Sequence, residues 1–344
     1  MIYVNLLIII LCIIFIHEFG HYSVARLFKT SVTDFSVGFG KVLYQFKDKN
    51  KTNWKISIIP LGGFVRIKGL ESIFKNSKQV DKDHDSFHNL SLIKKVCILL
   101  AGSAFNIISA WLCIFFIFFF FGIVNFAPIV GSIIDKSPAP INDIREGDII
   151  TNVNNQDIEY FSDIGDAIDG ADRITIEIIR DNNLITKEFN LTFNQEVGKY
   201  IVGIYSTDTP EIDKHALWQS LKKSLTFIPG YYASMFTYLT KSYQGKTLTQ
   251  DLAGPIGIVK MADKLMLDKI KGVLIIFVSI SLFAGLFNLV PIPLLDGGHI
   301  VYFTLRSIFS DYLPAVVTKI YLMIGIAIIS YLTLFVALND IFYK

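Results

Sequence analysis

Apolar residues fall into four long blocks, parted by stretches in which polar and apolar positions alternate or mix. The first block runs from Met1 through His21 to Phe28 and predicts a helix of ~40 Å at about 1.5 Å per residue, long enough to span a bilayer. Three more spans are predicted, at residues 96–124, 272–295 and 320–338, each near the ~20 apolar residues that the hydrocarbon core requires. Met1 to Asn5 carries no Lys or Arg and no small-residue cleavage site follows, so the first block is expected to be retained and not removed as a signal peptide.

Between the blocks the period changes. Phe35/Val37/Phe39, Val42/Tyr44/Phe46 and Trp54/Ile56/Ile58 alternate with a period of two and predict short strands, and Gly62-Gly63 breaks the chain before Phe64-Val65-Arg66-Ile67. Residues 29–95 are therefore expected to form a membrane-associated β region whose edge at Gly62, Gly63 and Val65 could take an extended peptide. Residues 126–207 are polar, with strand-like runs at 129–134, 149–153, 174–179 and 188–192, and predict a soluble module. Residues 208–271 hold a helical pattern interrupted at Pro229-Gly230, with Lys222 and Lys223 too central for a span, and are expected on the outer surface. Residues 296–319 read as a loop and 320–344 as the last helix and tail. The expected fold is a multi-pass α-helical membrane protein with four spans, a membrane-associated β region and one small α+β soluble domain. The first loop carries Arg26, Lys29, Lys41, Lys47, Lys49, Lys51, Lys55, Arg66, Lys68, Lys94 and Lys95, which predicts a cytoplasmic side for it and an outer side for the soluble domain and both termini.

Composition agrees with lipid as part of the solvent. Of 344 residues 52% are hydrophobic, 29 are Phe and 18% are charged, and a mean hydropathy of +0.49 is too apolar for an ordinary soluble protein. A net charge of +2 without a long basic run excludes nucleic acid as a partner. Cys12, Cys97 and Cys113 lie in apolar stretches with no C-x-x-C spacing, so they are expected to be small buried hydrophobes and not a disulfide framework or thiolate site.

The chemistry is concentrated in His17-Glu18-Phe19-Gly20-His21, an H-E-x-x-H pattern that on a helix sets two imidazoles on one face with a carboxylate beside them. On a soluble surface helix the pattern arises by chance. Within a span, each ionisable group costs ~2.5–3.5 kcal/mol on insertion scales, so three in five residues need a compensating partner, and a metal is the fitting one. Zinc accepts imidazole and carboxylate, with three protein ligands and water in a catalytic site. For the third ligand, His84 and His88 offer another i, i+4 pair, but a solvated loop imposes no burial cost, and His215 stands alone. Asp296, at the end of the third apolar block, is the better candidate, although an Asp-Gly helix end would be unremarkable by itself. A metal transporter or an inactive peptide-binding scaffold are the rival readings. The first leaves Glu18 and the soluble module without a role, and the second leaves the intact ionisable set unexplained.

The H-E-x-x-H of the first span, with Asn288-Leu289-Val290-Pro291-Ile292-Pro293-Leu294-Leu295-Asp296-Gly297-Gly298, resembles the site-two proteases, most closely the bacterial group called regulator of sigma-E protease. Pro60-Leu61-Gly62-Gly63-Phe64-Val65, Ala101-Gly102-Ser103-Ala104-Phe105-Asn106 and Gly254-Pro255-Ile256-Gly257-Ile258 extend the likeness over nearly the whole chain, with Ser103 where the family usually has Pro. Gly131-Ser132-Ile133-Ile134, Gly147-Asp148-Ile149-Ile150 and Val153-Asn154-Asn155 resemble a bacterial PDZ domain, of which the chain has room for one. The resemblance implies an intramembrane zinc metalloprotease of the bacterial inner membrane, with His17, His21 and Asp296 holding Zn2+ and Glu18 as general base. It further implies Asn106 as a contact for the substrate backbone, and single-span membrane proteins such as an anti-sigma factor or remnant signal peptides as substrates; Asn288 is a second candidate contact, with local backbone groups at its helix end as the alternative partner.

Overall fold

The computed structural model describes residues 2–70, 83–135, 137–168, 170–194, 199–207, 210–213, 217–245, 269–309 and 314–343. In chain order its elements begin with α1 (Ile2–Leu27), β1 (Val32–Lys47), β2 (Asn53–Ile67), a 3-10 turn (Phe87–Asn89) and α2 (Leu92–Phe121). There follow β3 (Ile123–Phe126), β4 (Val130–Ile133), α3 (Pro138–Ile141), β5 (Ile149–Val153), β6 (Gln156–Asp157), α4 (Phe161–Ala167), β7 (Arg173–Arg180) and β8 (Asn183–Asn190). The remainder is β9 (Thr192–Asn194), β10 (Lys199–Ile201), β11 (Ile204–Ser206), β12 (Pro210–Asp213), α5 (Leu217–Gly245), α6 (Lys269–Phe287), α7 (Asp296–Ile308) and α8 (Ala315–Tyr343). Two compact units result, Met1–Ile117 with Leu221–Lys344, and Phe118–Ser220.

Among the described residues α1, α2, α6 and α8 carry four stretches long and apolar enough to cross a membrane, Tyr3–Leu27, Leu92–Phe121, Ile270–Phe287 and Val316–Asn339. Helices suit these stretches because hydrocarbon offers the backbone no other hydrogen-bond partner. Cys12 and Cys97 are exposed and Cys113 half-buried, against the expectation of burial, because the outer faces of such helices meet lipid and need no protein around them.

The third helix stops at Phe287, short of residue 295, and the expected loop at 296–319 opens with α7. Pro291 and Pro293 account for the break: neither has an N–H to continue the helix, and each biases the residue before it away from helical geometry. The chain turns back so that the Gly297 amide donates to the Asn288 carbonyl at 2.8 Å. A Cβ on Gly297 would lie 2.1 Å from the Leu289 oxygen, so only glycine admits this return.

The helix α5 runs unbroken through Pro229-Gly230, where an interruption is expected from sequence. Tertiary hydrogen bonds offset the lost backbone bond: Tyr232 Oη donates to the Leu282 carbonyl of α6 at 3.0 Å, and Trp111 Nε1 of α2 donates to Ser224 Oγ at 3.0 Å.

The alternating residues of the first loop form two long, sharply bent strands in place of several short ones. Residues 42–47 run antiparallel to 53–57, with Lys47 opposite Asn53 and Val42 opposite Ser57. Asp34 to Val37 lies beside Asn53 to Ile56 with numbers rising together, and also opposite Arg66 to Gly63 with numbers falling. Gly38, Gly40 and Gly62, all at positive φ, make the bends. The outcome is four adjoining runs, in which residues 63–67 form an edge with no further strand beyond them among the described residues.

The second unit is built on an antiparallel sheet in the order β6-β5-β7-β8, with the pairs β4–β11, β3–β12 and β9–β10. Ile174, Ile176 and Ile178 alternate inward from β7 onto Ile150 and Val153, giving it a core of its own. Arg180 closes one end by a bidentate pair with the buried Asp148, Nε to Oδ1 at 2.7 Å and an Nη to Oδ2 at 2.8 Å.

Candidate active site

The helix α1 sets His17 and His21 one turn apart, and the Pro-bent return before α7 brings Asp296 to them. His17 Nε2 and His21 Nε2 are 3.3 Å apart and lie 3.2 Å and 3.4 Å from Asp296 Oδ2. Despite that proximity Oδ2 is buried without a hydrogen-bond partner. Two donors ~2.0–2.1 Å from a tetrahedral ion lie roughly 3.4 Å from each other, so the three separations match the edges of one zinc coordination shell. Among the described residues this is the one group of three His, Cys, Asp or Glu side chains close enough to share an ion.

The surroundings fit the same ion. His21 Nδ1 lies 2.8 Å from the Ile98 carbonyl, which can only accept, so Nδ1 carries the hydrogen and Nε2 keeps its lone pair for a metal. A Cβ on Gly102 of α2 would sit 2.4 Å from His21 Nε2 and 2.7 Å from His17 Cε1, so the donors are cradled by a position that admits no side chain. Gly20 plays the matching part on α1, where a Cβ would meet the Ala101 oxygen at 2.4 Å.

The donors open into a cavity of about 440 Å³ lined also by Glu18, Gly62, Gly63, Val65, Asn106, Asn288 and His299. Glu18 stands beside the imidazoles, and Gly63 approaches it so closely that a Cβ there would lie 3.2 Å from Glu18 Cγ. The outer edge of residues 63–67 therefore faces the cavity. Asn106 is 1% exposed, with Nδ2 3.5 Å from His17 Nδ1. His84 is exposed and lies outside this group, and His215 and Gly254 to Ile258 fall outside the described residues. Sequence reasoning did not single out the Ile98 carbonyl or His299. A main-chain oxygen leaves no mark in sequence, whereas His299 shares the D-G-G-H run with Asp296 and was legible there.

Fold and site together define a class, the zinc metalloproteases embedded in membranes. The sequence profile of peptidase family M50 matches residues 5–332. The chain belongs to peptidase family M50. A Rickettsia conorii protein provisionally described as a zinc metalloprotease is 32% identical, over 98% of this chain and 98% of its own length. One of Campylobacter jejuni, described likewise, is 33% identical over 96% and 90%. Metalloprotease MmpA of Caulobacter vibrioides is 27% identical over 98% and 94%.

Proposed function

We propose that this chain cuts single-span membrane proteins within or beside the bilayer, with His17, His21 and Asp296 as zinc ligands and Glu18 as general base. The observation that carries the reading is the convergence of three metal-type donors from α1 and α7 on a cavity that Glu18 also lines. Bound zinc supplies Lewis acidity, which makes water nucleophilic near neutral pH and polarises a peptide carbonyl. Glu18 accepts the proton that the attacking water gives up and passes it to the leaving amine. A substrate helix must first unwind, since its carbonyls are hydrogen-bonded internally. Residues 63–67, with Gly62 and Gly63 at the bend, receive the unwound segment along their open edge, and Asn106 and Asn288 bond its backbone.

The second unit is read as a PDZ-like domain: β11 pairs with β4 alone among the described residues, leaving an edge to which a peptide can add. The basic first loop supports an outer position for the PDZ-like domain at the bacterial inner membrane, and the likeness to the regulator of sigma-E protease group supports an anti-sigma factor or remnant signal peptides as substrates. The test compares wild type with Glu18→Gln on such substrates in membranes. The variant is expected to keep its zinc and lose cleavage by ~10²-fold or more. Cleavage surviving in the variant would remove Glu18 from the chemistry.

A further inference from the structure

His21 has its hydrogen fixed on Nδ1 by the Ile98 carbonyl, and His17 needs the same device from a different source. Its Nε2 faces the other two donors, 3.3 Å from His21 Nε2 and 3.2 Å from Asp296 Oδ2. A neutral imidazole that offers Nε2 to a metal carries its hydrogen on Nδ1, which then needs an acceptor. The polar atom beside that nitrogen is Asn106 Nδ2, at 3.5 Å, itself a donor, while Asn106 Oδ1 is buried with no partner. One half-turn of the amide, whose oxygen and nitrogen are nearly equal in shape, turns two facing donors into a donor and an acceptor.

We propose that Asn106 is a positioning residue for the metal site: its Oδ1 accepts the Nδ1 hydrogen of His17 and so holds the ring with Nε2 toward zinc. This rests on the zinc-ligand reading above. The main chain keeps Asn106 in place for that task, since Ser281 Oγ of α6 donates to its carbonyl at 3.0 Å and Ser109 Oγ at 2.9 Å. After the half-turn Nδ2 takes the place of Oδ1 on a residue that lines the cavity. From there it donates to the carbonyl of an incoming peptide, so the same amide orients a ligand with its oxygen and meets substrate with its nitrogen.

Substitution separates the two ends of the amide. Asn106→Asp keeps an acceptor and removes the donor, whereas Asn106→Leu removes both at similar volume. Zinc affinity of the full-length protein in detergent, measured by competition with a chelator, is expected to fall about 10–100-fold in Asn106→Leu and to stay within about threefold of wild type in Asn106→Asp. Asn106→Asp should nonetheless cleave more slowly, having lost its contact to the peptide. Far-ultraviolet circular dichroism confirms that both variants keep their helices. If Asn106→Leu binds zinc as tightly as wild type, or Asn106→Asp as weakly as Asn106→Leu, the positioning role is wrong while the ligand reading stands. A wild type that takes up no zinc would overturn both.

Discussion

At the residue scale the site is an arrangement of lone pairs that needs a shared cation. Asp296→Ala should abolish zinc uptake, and Gly102→Ala should weaken it sharply, because its methyl would occupy the place where His21 Nε2 lies 2.4 Å away. Replacing His84 and His88 together should leave uptake unchanged. Metal analysis of the purified variants decides, and zinc lost from the double variant but kept in Asp296→Ala would move the site to the loop. His17, Glu18, His21 and Asp296 were legible because ionisable groups stand out in apolar blocks, where their cost demands a reason. The tautomer of His21 was not, since the Ile98 oxygen that fixes it belongs to the main chain and any residue at 98 would bring one.

At the element scale, four apolar helices follow from length and hydropathy, but their ends do not. The third stops at Phe287 because Pro291 and Pro293 outweigh the apolar character of Leu289, Val290 and Ile292, and it is this break that lets Asp296 turn back. The bent strands were half legible. Alternation marked the runs, whereas nothing local told that residues 34–37 would lie between two partners. Since Val65 lines the cavity together with Glu18, Val65→Pro should slow cleavage strongly with zinc content unchanged, by removing a donor from the edge that an added strand would pair with. Initial rates on one substrate measure this, and an undiminished rate would exclude that edge from substrate binding. Helix-breaking residues near the scissile bond should in turn speed cutting, because less helix has to open.

At the scale of the molecule the two units answer to different solvents. In the second, hydrogen bonds from Arg145 and Arg180 hold the Asp143 carboxyl down at about 2. A carboxyl lowered on folding stabilises above its unfolded value of about 3.9, and that contribution is lost as pH falls through the folded value. Because Asp143 is only half-buried the effect is modest: amide protection in β7 and β8, corrected for intrinsic exchange, should hold down to about pH 4 and decline toward about pH 2. Asp143→Asn should flatten that decline. The first unit is governed by lipid, and there α8 has a particular place. Tyr321 Oη donates to the Gly298 carbonyl at 2.7 Å, and Gly325 presses so closely on Pro293 that a Cβ would lie 2.3 Å from its oxygen. The turn that carries Asp296 thus leans on a helix whose remaining surface largely faces acyl chains, and a spanning helix tilts to match the thickness around it. Bilayer thickness is therefore expected to act on the position of Asp296, the proposed third zinc ligand. In vesicles of graded acyl-chain length, zinc affinity should pass through a maximum at one thickness and fall on either side, and Gly325→Leu, which wedges the contact open, should lower that maximum.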